Sequence, residues 1–381
     1  MKGNILSLFF TRGISLEIWV NQGLFDREKL LYEEHLTQNN LNKIYWFTYG
    51  SSDKRLAEKL KKEGRLHKDI LIFEMPKLFN VPKIGSYLYS FFLPIIHKNI
   101  LKKSDILKTN QMDGSWSAVI AAKLYNKPLI NRTGYTLSIF IKRKNVSKLA
   151  QYLVELVERV AYQRANINVV ASNEDKNYLI NKYGIENKSI NTIYNYIDTD
   201  LFKPLDLKKY SNRIIFVGRL NKQKNLFNLI EAISKTNLAL DIYGQGELKE
   251  DLIAFSRKLN VDVNFNDIVD NNDLPNILNR YKYYILVSLY EGMPKTLLEA
   301  MACGCVCICT NVSGINEVIE DGVNGYLSNE TDTSAIVNTI NTTTMKSNNM
   351  HDISINARAT ILKRFTLKQV AQTEKSLFAK I

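Results

Sequence analysis

Ser288–Leu327 reads SLYEGMPKTLLEAMACGCVCICTNVSGINEVIEDGVNGYL, and it carries the densest signal in this 381-residue chain. Tyr284–Ser288 has the pattern of a strand and Lys295–Ala302 that of a helix, with Gly292 and Pro294 in the turn between them. Proline suits the first position of a helix, so Pro294 predicts a turn from which free backbone N–H groups and the positive end of a helix dipole point outward. Such a turn is an anion site suited to a diphosphate. Glu291 precedes the helix and Glu299 lies about 7–8 Å along it at a rise of about 1.5 Å per residue. One carboxylate therefore stands on each side of an anion held at the helix start. A nucleotide sugar has that symmetry, with hexose hydroxyls on one side of a diphosphate and ribose hydroxyls on the other. Taken alone, the two glutamates also fit the description of ordinary surface charges.

The cysteines of the chain, Cys303, Cys305, Cys307 and Cys309, all fall in this stretch. Read as one strand, their alternate spacing puts them on one face, the outer pair roughly 20 Å apart and too far to share a tetrahedral zinc. Neighbours in an extended strand are also badly placed for disulfides. They read as small buried hydrophobes in a reducing cytosol.

Upstream, Ile214–Val217 has a strand pattern and is followed by Gly218-Arg219-Leu220 and then Lys224-Asn225. Gly218 permits close backbone approach to a ligand. Arg219 and Lys224 are placed to neutralise a leaving diphosphate. Further outward, apolar strand-like runs alternate with helix patterns from end to end, the mark of βα units on parallel sheets. The first series is Asn4–Phe10, Lys43–Tyr49, Asp69–Glu74, Asp105–Asn110, Pro128–Arg132, Ile167–Ala171 and Ser189–Tyr194. Between them lie helix-like stretches at Ser52–Glu63, Ser115–Tyr125, Val146–Ala165 and Glu174–Tyr183. The second series begins at Arg213 with IIFVG and continues through LALDIYG, VDVNF, YYILVS and CVCICT. Pro204 and a polar segment at Phe202–Asn212 mark the seam. The expected organisation is an α/β chain of two doubly wound, Rossmann-like domains, 1–204 and 205–365, with ligands at strand C-terminal ends and a closing helix over 366–381.

Composition agrees with a globular chain: 45% hydrophobic and 23% charged. The opening Ile5–Phe10 run is too short for a secretory signal and reads as a first strand. Tyr87–Ile96, interrupted by Ser90 and Pro94, is too short to cross a bilayer of roughly 30 Å. No transmembrane helix is expected. The net charge of +13 is confined to one third of the chain, since residues 51–150 hold 20 Lys+Arg against 7 Asp+Glu and the signs balance elsewhere. That third predicts an anionic partner. It shows no zinc-finger spacing and no RNP-type aromatic motif, so nucleic acid is disfavoured against an anionic membrane surface or a phosphorylated acceptor.

The C-terminal half resembles the retaining glycosyltransferases of the GT-B fold, family 4, also described as glycosyl transferases group 1. The matching pieces are GRLNKQKN, the glycine turn IYGQGELK, the E-x7-E pair of EGMPKTLLEAMACG, and SGINEVIEDGVNGYL, in order over about Arg213–Leu327, with TIYNYIDTDLFKP before the seam. The resemblance implies GT-B architecture: two Rossmann-like domains facing a central cleft, an N-terminal acceptor-binding domain, a C-terminal nucleotide-sugar-binding domain, and a final helix crossing back to the first. It also implies that Arg219 and Lys224 bind the diphosphate, Glu291 the donor-sugar hydroxyls and Glu299 the ribose. The donor site then comprises Gly218, Arg219, Lys224, Gly292, Met293, Pro294, Lys295, Thr296 and Glu299, with Arg219, Lys224 and Glu291 catalytic.

The chain departs from the family pattern at several positions. Val306 and Asn316 stand where prolines are usual, Asn311 where aspartate is frequent, and Tyr196 replaces a glycine. Relatives often carry a histidine near the cleft in the N-terminal half, yet His35, His67 and His97 lie in helix-like or loop contexts that do not match. The segments expected on the acceptor side are Thr11-Arg12-Gly13, Asn110–Gly114 and Arg132-Thr133-Gly134-Tyr135, with Gly13, Asp113 and Arg132 as candidate residues. Asp198-Thr199-Asp200 matches the D-x-D metal signature of a different glycosyltransferase fold but lies in the interdomain segment. No metal and no cofactor is expected, the basic pair and helix dipole standing in their place.

The expected activity is metal-independent retaining transfer of a hexose from a UDP- or GDP-sugar to a hydroxyl of a glycan or lipid-linked acceptor. Asn-, Lys- and Ile-rich usage suggests an AT-rich bacterial genome and surface polysaccharide synthesis. Two other classes fit less well: a nucleotide-sugar epimerase or hydrolase on the same fold, and a non-catalytic sugar- or membrane-binding descendant. The protein is expected in the cytoplasm, with the inner face of the cytoplasmic membrane as a candidate docking surface. Tyr87-Leu88-Tyr89 and Phe91-Phe92-Leu93 precede Lys98, Lys102 and Lys103, and Ile139-Phe140-Ile141 precede Lys142-Arg143-Lys144. Apolar side chains beside lysines suit an interfacial segment, although the same residues could be the core faces of helices.

Overall fold

A computed structural model of the chain describes residues 4–134, 136–142, 146–345 and 349–381, with Phe140 described by its backbone alone. Tyr135, Arg143 and Lys144 lie outside the described residues. The chain forms two compact units. One runs to Ile193 and also includes Val370–Ile381; the other is Tyr194–Gln369.

The first unit is built on β1 (Ile5–Phe9), β2 (Lys43–Phe47), β3 (Ile70–Phe73), β4 (Ile106–Thr109), β5 (Leu129–Arg132), β6 (Ile167–Val170) and β7 (Ile190–Thr192). They form one parallel sheet in the order β3-β2-β1-β4-β5-β6-β7. Each strand falls inside the stretch its hydrophobic pattern predicts. All four residues of β4 and of β6 are buried, as in sheets covered on both faces.

The second unit carries β8 (Arg213–Val217), β9 (Ala239–Tyr243), β10 (Val263–Asn266), β11 (Tyr283–Leu286), β12 (Val306–Thr310) and β13 (Tyr326–Ser328), parallel in the order β10-β9-β8-β11-β12-β13. The strand order reverses direction beside β8 and β11, a topological switch point of the kind that opens a ligand crevice. At three residues β13 is too short for a periodicity signal, and the sequence reading does not anticipate it.

Tyr87–Ile96, the apolar run that Ser90 and Pro94 interrupt, lies within one helix, Gly85–Ile96, with Pro94 inside it. Pro94 cannot donate to the Ser90 carbonyl, and the Ser117 hydroxyl donates to that carbonyl instead, at 2.5 Å. The four cysteines do not share one strand. Cys303 is the C-cap of the Lys295–Ala302 helix, and only Cys307 and Cys309 lie within β12. The helix ends in a Schellman arrangement, with Gly304 N–H donating to Met301 O and Cys305 N–H to Ala300 O, and Gly304 at φ 75°. All four thiols are buried and free, and burial pushes each upward in pKa, Cys305 to about 11.

The closing helix, Leu367–Phe378, delivers Glu374 into the first unit, where Lys108 Nζ of β4 donates to both carboxylate oxygens at 2.6 and 2.7 Å. His35 Nε2 lies 3.2 Å from the same carboxylate. Burial pushes the Glu374 carboxyl up, but the Lys108 charge and the hydrogen bond to His35 outweigh it and hold it at about 2.

Candidate active site

The second unit assembles its site from two segments that leave neighbouring strands. Val217 ends β8, and Gly218 N–H donates to Tyr243 O at 3.0 Å, tying the loop to the end of β9. A Cβ on Gly244 would meet Gly218 O at 1.9 Å, so the glycine turn of IYGQGELK admits no side chain there. Arg219 is exposed and takes no carboxylate partner among the described residues. The chain then makes a 3-10 turn over Lys222–Lys224.

Lys224 and Glu291 come from the two separate motifs and meet here as an ion pair, with side chains 11% and 7% exposed. The Glu291 carboxylate also accepts from the Ser288 hydroxyl at 2.6 Å and from Gln223 Nε2 at 3.3 Å. Gln223 further donates to Tyr290 O at 2.8 Å and accepts from Leu289 N–H through its own carbonyl, also at 2.8 Å. The lysine loop is thereby pinned to the glutamate loop. Sequence reasoning missed Gln223 and Ser288, although Gln223 sits inside GRLNKQKN beside Lys224. A neutral side chain carries no signal until its partner is known.

Pro294 is the N-cap of the helix (φ −73°, ψ 109°) and not its first helical residue, because its extended ψ keeps it outside the helical turn. Its carbonyl accepts from Leu298 N–H at 3.4 Å. No side chain among the described residues caps this end, which leaves the first-turn amides and the positive dipole end open. Lys295 and Thr296 lie in this first turn, and Thr296 accepts from the Tyr284 hydroxyl at 2.9 Å. The turn is braced from behind. Gly314, at φ 74°, packs so closely that a Cβ would meet Gly292 O at 1.7 Å, and Asn195 Nδ2 donates to Met293 O at 2.7 Å. Tyr196, the residue in place of a glycine, sets its ring 5.1 Å from Lys295 Nζ. Val306 N–H donates to Lys282 O at 2.9 Å, a bond that proline in that position would forfeit. Glu299 is 1% exposed on the helix behind the turn.

Beside Gly218 and Arg219 opens a cavity of ≈ 190 Å³, walled by Tyr243, Gln245, Ile268 and Val269. Sequence reasoning did not find this wall, since Ile268 and Val269 follow β10 with no motif of their own. Asp198 and Asp200 do not form a pair of ligands: the Asp198 carboxylate accepts from the backbone N–H of Asp200 and Leu201 and closes a turn.

In the first unit, Asp113 and Arg12 form a two-pronged pair, Nε to Oδ1 at 2.9 Å and Nη2 to Oδ2 at 2.8 Å. The Arg12 guanidinium lies 3.7 Å over the Tyr87 ring. Both Asp113 oxygens are thus engaged. Arg132 Nη1 donates to Asn110 O at 3.3 Å, and nothing lies within 4 Å of where a Gly13 Cβ would stand. His97 is held by the Tyr89 hydroxyl at 2.9 Å, and burial lowers its pKa to about 4.

The sequence profile described as Glycosyl transferases group 1 matches residues 197–360, and that described as Glycosyltransferase Family 4 matches residues 38–201. The chain belongs to this glycosyltransferase family. It is 29% identical over 326 residues to the UDP-Gal:alpha-D-GlcNAc-diphosphoundecaprenol alpha-1,3-galactosyltransferase of Escherichia coli, covering 76% of this chain and 83% of that one. It is 29% identical over 221 residues to a Campylobacter jejuni N-acetylgalactosaminyltransferase acting on a diphospho-undecaprenol-linked sugar, covering 56% and 60%. Anabaena HepE, solved with UDP and glucose, superposes with a TM-score of 0.76 at 17% identity over 99% of this chain and 100% of that one, which makes the fold GT-B. This glycosyltransferase therefore has two parallel-sheet Rossmann-like units, as the resemblance implies.

Proposed function

We propose that this glycosyltransferase moves a hexose, with retention of configuration and without a metal, from a UDP- or GDP-sugar to a hydroxyl of a lipid-linked or glycan acceptor in bacterial surface polysaccharide synthesis. The observation that carries the reading is the Lys224–Glu291 pair, joined from two motifs at adjacent strand ends beside an uncapped helix N-terminus. In this reading the donor diphosphate rests against the first turn of the Lys295–Ala302 helix, with Gly292, Met293 and Pro294 shaping its bed. Arg219 and Lys224 supply positive charge. The cavity beside Tyr243 and Ile268 takes the base, Glu299 the ribose, and Glu291 the hexose hydroxyls.

Rupture of the bond from the anomeric carbon leaves its electron pair on the diphosphate oxygen, where Arg219, Lys224 and the helix amides stabilise the growing charge. The acceptor hydroxyl attacks the same face and gives its proton to the departing phosphate oxygen. Lys224 serves both groups, since it fixes Glu291 and faces the phosphate. On the first unit, Gly13 and Arg132 are assigned to the acceptor, while Asp113 orients Arg12. The relatives act on diphosphoundecaprenol-linked sugars, which supports a lipid-linked acceptor.

A thermal-shift panel of UDP-, GDP- and ADP-sugars tests the donor class, a bound donor adding about 2.7 kcal/mol at a hundredfold excess over Kd. Glu299→Ala weakens binding of the bare nucleoside diphosphate, whereas Glu291→Ala leaves that affinity nearly intact and damages transfer. Equal losses of nucleotide affinity in both variants contradict the assignment.

A further inference from the structure

The Gly85–Ile96 helix has two faces of opposite fate. Tyr89, Ser90, Leu93 and Pro94 are buried, and the face is tied to the Ser115–Tyr125 helix by Trp116 Nε1 donating to the Ser90 hydroxyl, Ser117 to the Ser90 carbonyl and the Tyr125 hydroxyl to the Pro94 carbonyl. On the other side Tyr87, Leu88, Phe91, Phe92, Ile95 and Ile96 recur at helical spacing and are all exposed, Phe91 by 54% and Ile95 by 61%. Leu78, Val81 and Ile84 extend this apolar surface ahead of the helix. The Ser115–Tyr125 helix also packs against Lys148–Arg164, whose outer stripe of Leu149, Tyr152, Leu153 and Leu156 is exposed as well. Scattered exposed apolar residues are ordinary, but six of them along one face of a single twelve-residue helix mark a surface that is covered in use.

The charge around the field identifies what covers it. Residues 75–104 hold five lysines, Lys77, Lys83, Lys98, Lys102 and Lys103, and no acidic residue. A second copy of the chain would set two such lysine-rich surfaces against each other. A nucleic acid would leave the phenylalanines, leucines and isoleucines without use. An anionic bilayer satisfies both, the apolar face entering the interface and the lysines meeting lipid phosphates.

We infer that the outer face of the Gly85–Ile96 helix, with its flanking lysines, docks this enzyme on an anionic membrane surface. The inference deepens the lipid-linked-acceptor reading: Tyr87, in the first turn of this helix, lies under the Arg12 guanidinium that Asp113 orients. Docking by this face brings the acceptor-side cluster to the bilayer that holds such an acceptor. It also narrows the expected docking surface from the whole basic third of the chain to one helix and its flanks. Tyr89 and Leu93 serve the core, and Phe140, Arg143 and Lys144 play no part in the case.

The test is co-sedimentation of the full chain with phosphatidylcholine vesicles with and without phosphatidylglycerol. The wild type is expected to pellet with the phosphatidylglycerol vesicles at low salt and to be released by high salt. Leu88→Glu with Ile95→Glu should cut the bound fraction by about tenfold or more, and Lys102→Glu with Lys103→Glu should do so without touching an apolar residue. Leu362→Glu, at an apolar position of the second unit as exposed as Leu88, should leave binding unchanged. Absence of wild-type binding, equal binding to neutral vesicles, or full binding by both double variants overturns the inference. So does a change in oligomeric state, without vesicles, as the only effect of the Leu88 and Ile95 substitutions. Nucleotide-sugar binding by the same variants reads the donor site separately, so failure of one proposal is not mistaken for failure of the other.

Discussion

Two buried lysine–glutamate pairs, one in each unit, have the same chemistry and different surroundings. Lys108–Glu374 lies in the first unit with side chains 0% and 3% exposed, mid-strand on one side and on the closing helix on the other. Lys224–Glu291 lies in the second unit in loops that follow strands, 11% and 7% exposed, and one of its partners neighbours an uncapped helix end. The first pair is sealed: His35 completes the coordination of Glu374, and Asn40 Nδ2 reaches the other ring nitrogen at 3.3 Å. The second is the pair proposed to serve the donor, at strand ends beside open helix amides. A buried ion pair is thus no sign of a site by itself; its position relative to strand ends and open amides decides.

That contrast breaks first on stability. Lys108→Ala leaves the Glu374 carboxylate buried without its counter-charge and should cost about 3–5 kcal/mol in urea unfolding. Lys108→Met combined with Glu374→Leu should recover most of the loss, because an apolar pair removes both desolvated charges. If the single substitution is harmless, the first pair is not structural and the comparison fails.

Acid sharpens the contrast within the first unit. Burial holds His97 at about 4 against an ordinary 6.5, so the folded form resists a proton that the unfolded chain accepts. The stability this represents is present above about 6.5 and lost progressively as pH falls toward 4, up to about 3 kcal/mol. His97→Gln should flatten the pH dependence of the melting temperature in that window. An unchanged slope would show that the ring is not held neutral.

The smallest expected effect on folding, and the decisive one on turnover, belongs to the second pair. Lys224→Ala should lower kcat/KM by roughly 10- to 150-fold, the loss of a charge-assisted contact worth about 1.5–3 kcal/mol, while shifting stability less than Lys108→Ala does. Arg219→Ala should match it in turnover with almost no change in melting temperature, since its side chain is exposed. Wild-type turnover in both variants would remove the donor assignment.

Much of this was legible because strands and motifs are local. The alternation of β8 with its GRLNKQKN loop, and of β11 with EGMPKTLLEAMACG, is written within about ten residues on each side, and backbone periodicity reports it directly. Glu291, Glu299, Arg219 and Lys224 were named from such segments. Other features depend on residues far apart in the chain. Gln223 and Ser288 matter because they hold Glu291, Asn195 because Met293 O lies within its reach, and Ile268 because it walls a cavity with Tyr243. The Pro94 helix survives because Ser117 supplies the missing donor, which no reading of Gly85–Ile96 alone could foresee. Asp113, a candidate on the acceptor side, is engaged by Arg12 across 101 residues of sequence.

By itself, then, the sequence determined where the strands other than β13 fall along the chain, where glycine- and proline-marked turns follow them, and which third of the chain is basic, because each is fixed by the composition and the steric and hydrophobic preferences of neighbouring residues. The tertiary structure alone decided which charges are paired and which apolar faces stay uncovered. Hydrogen bonds and burial act through space, where residues as distant as Lys108 and Glu374 stand 2.6 Å apart.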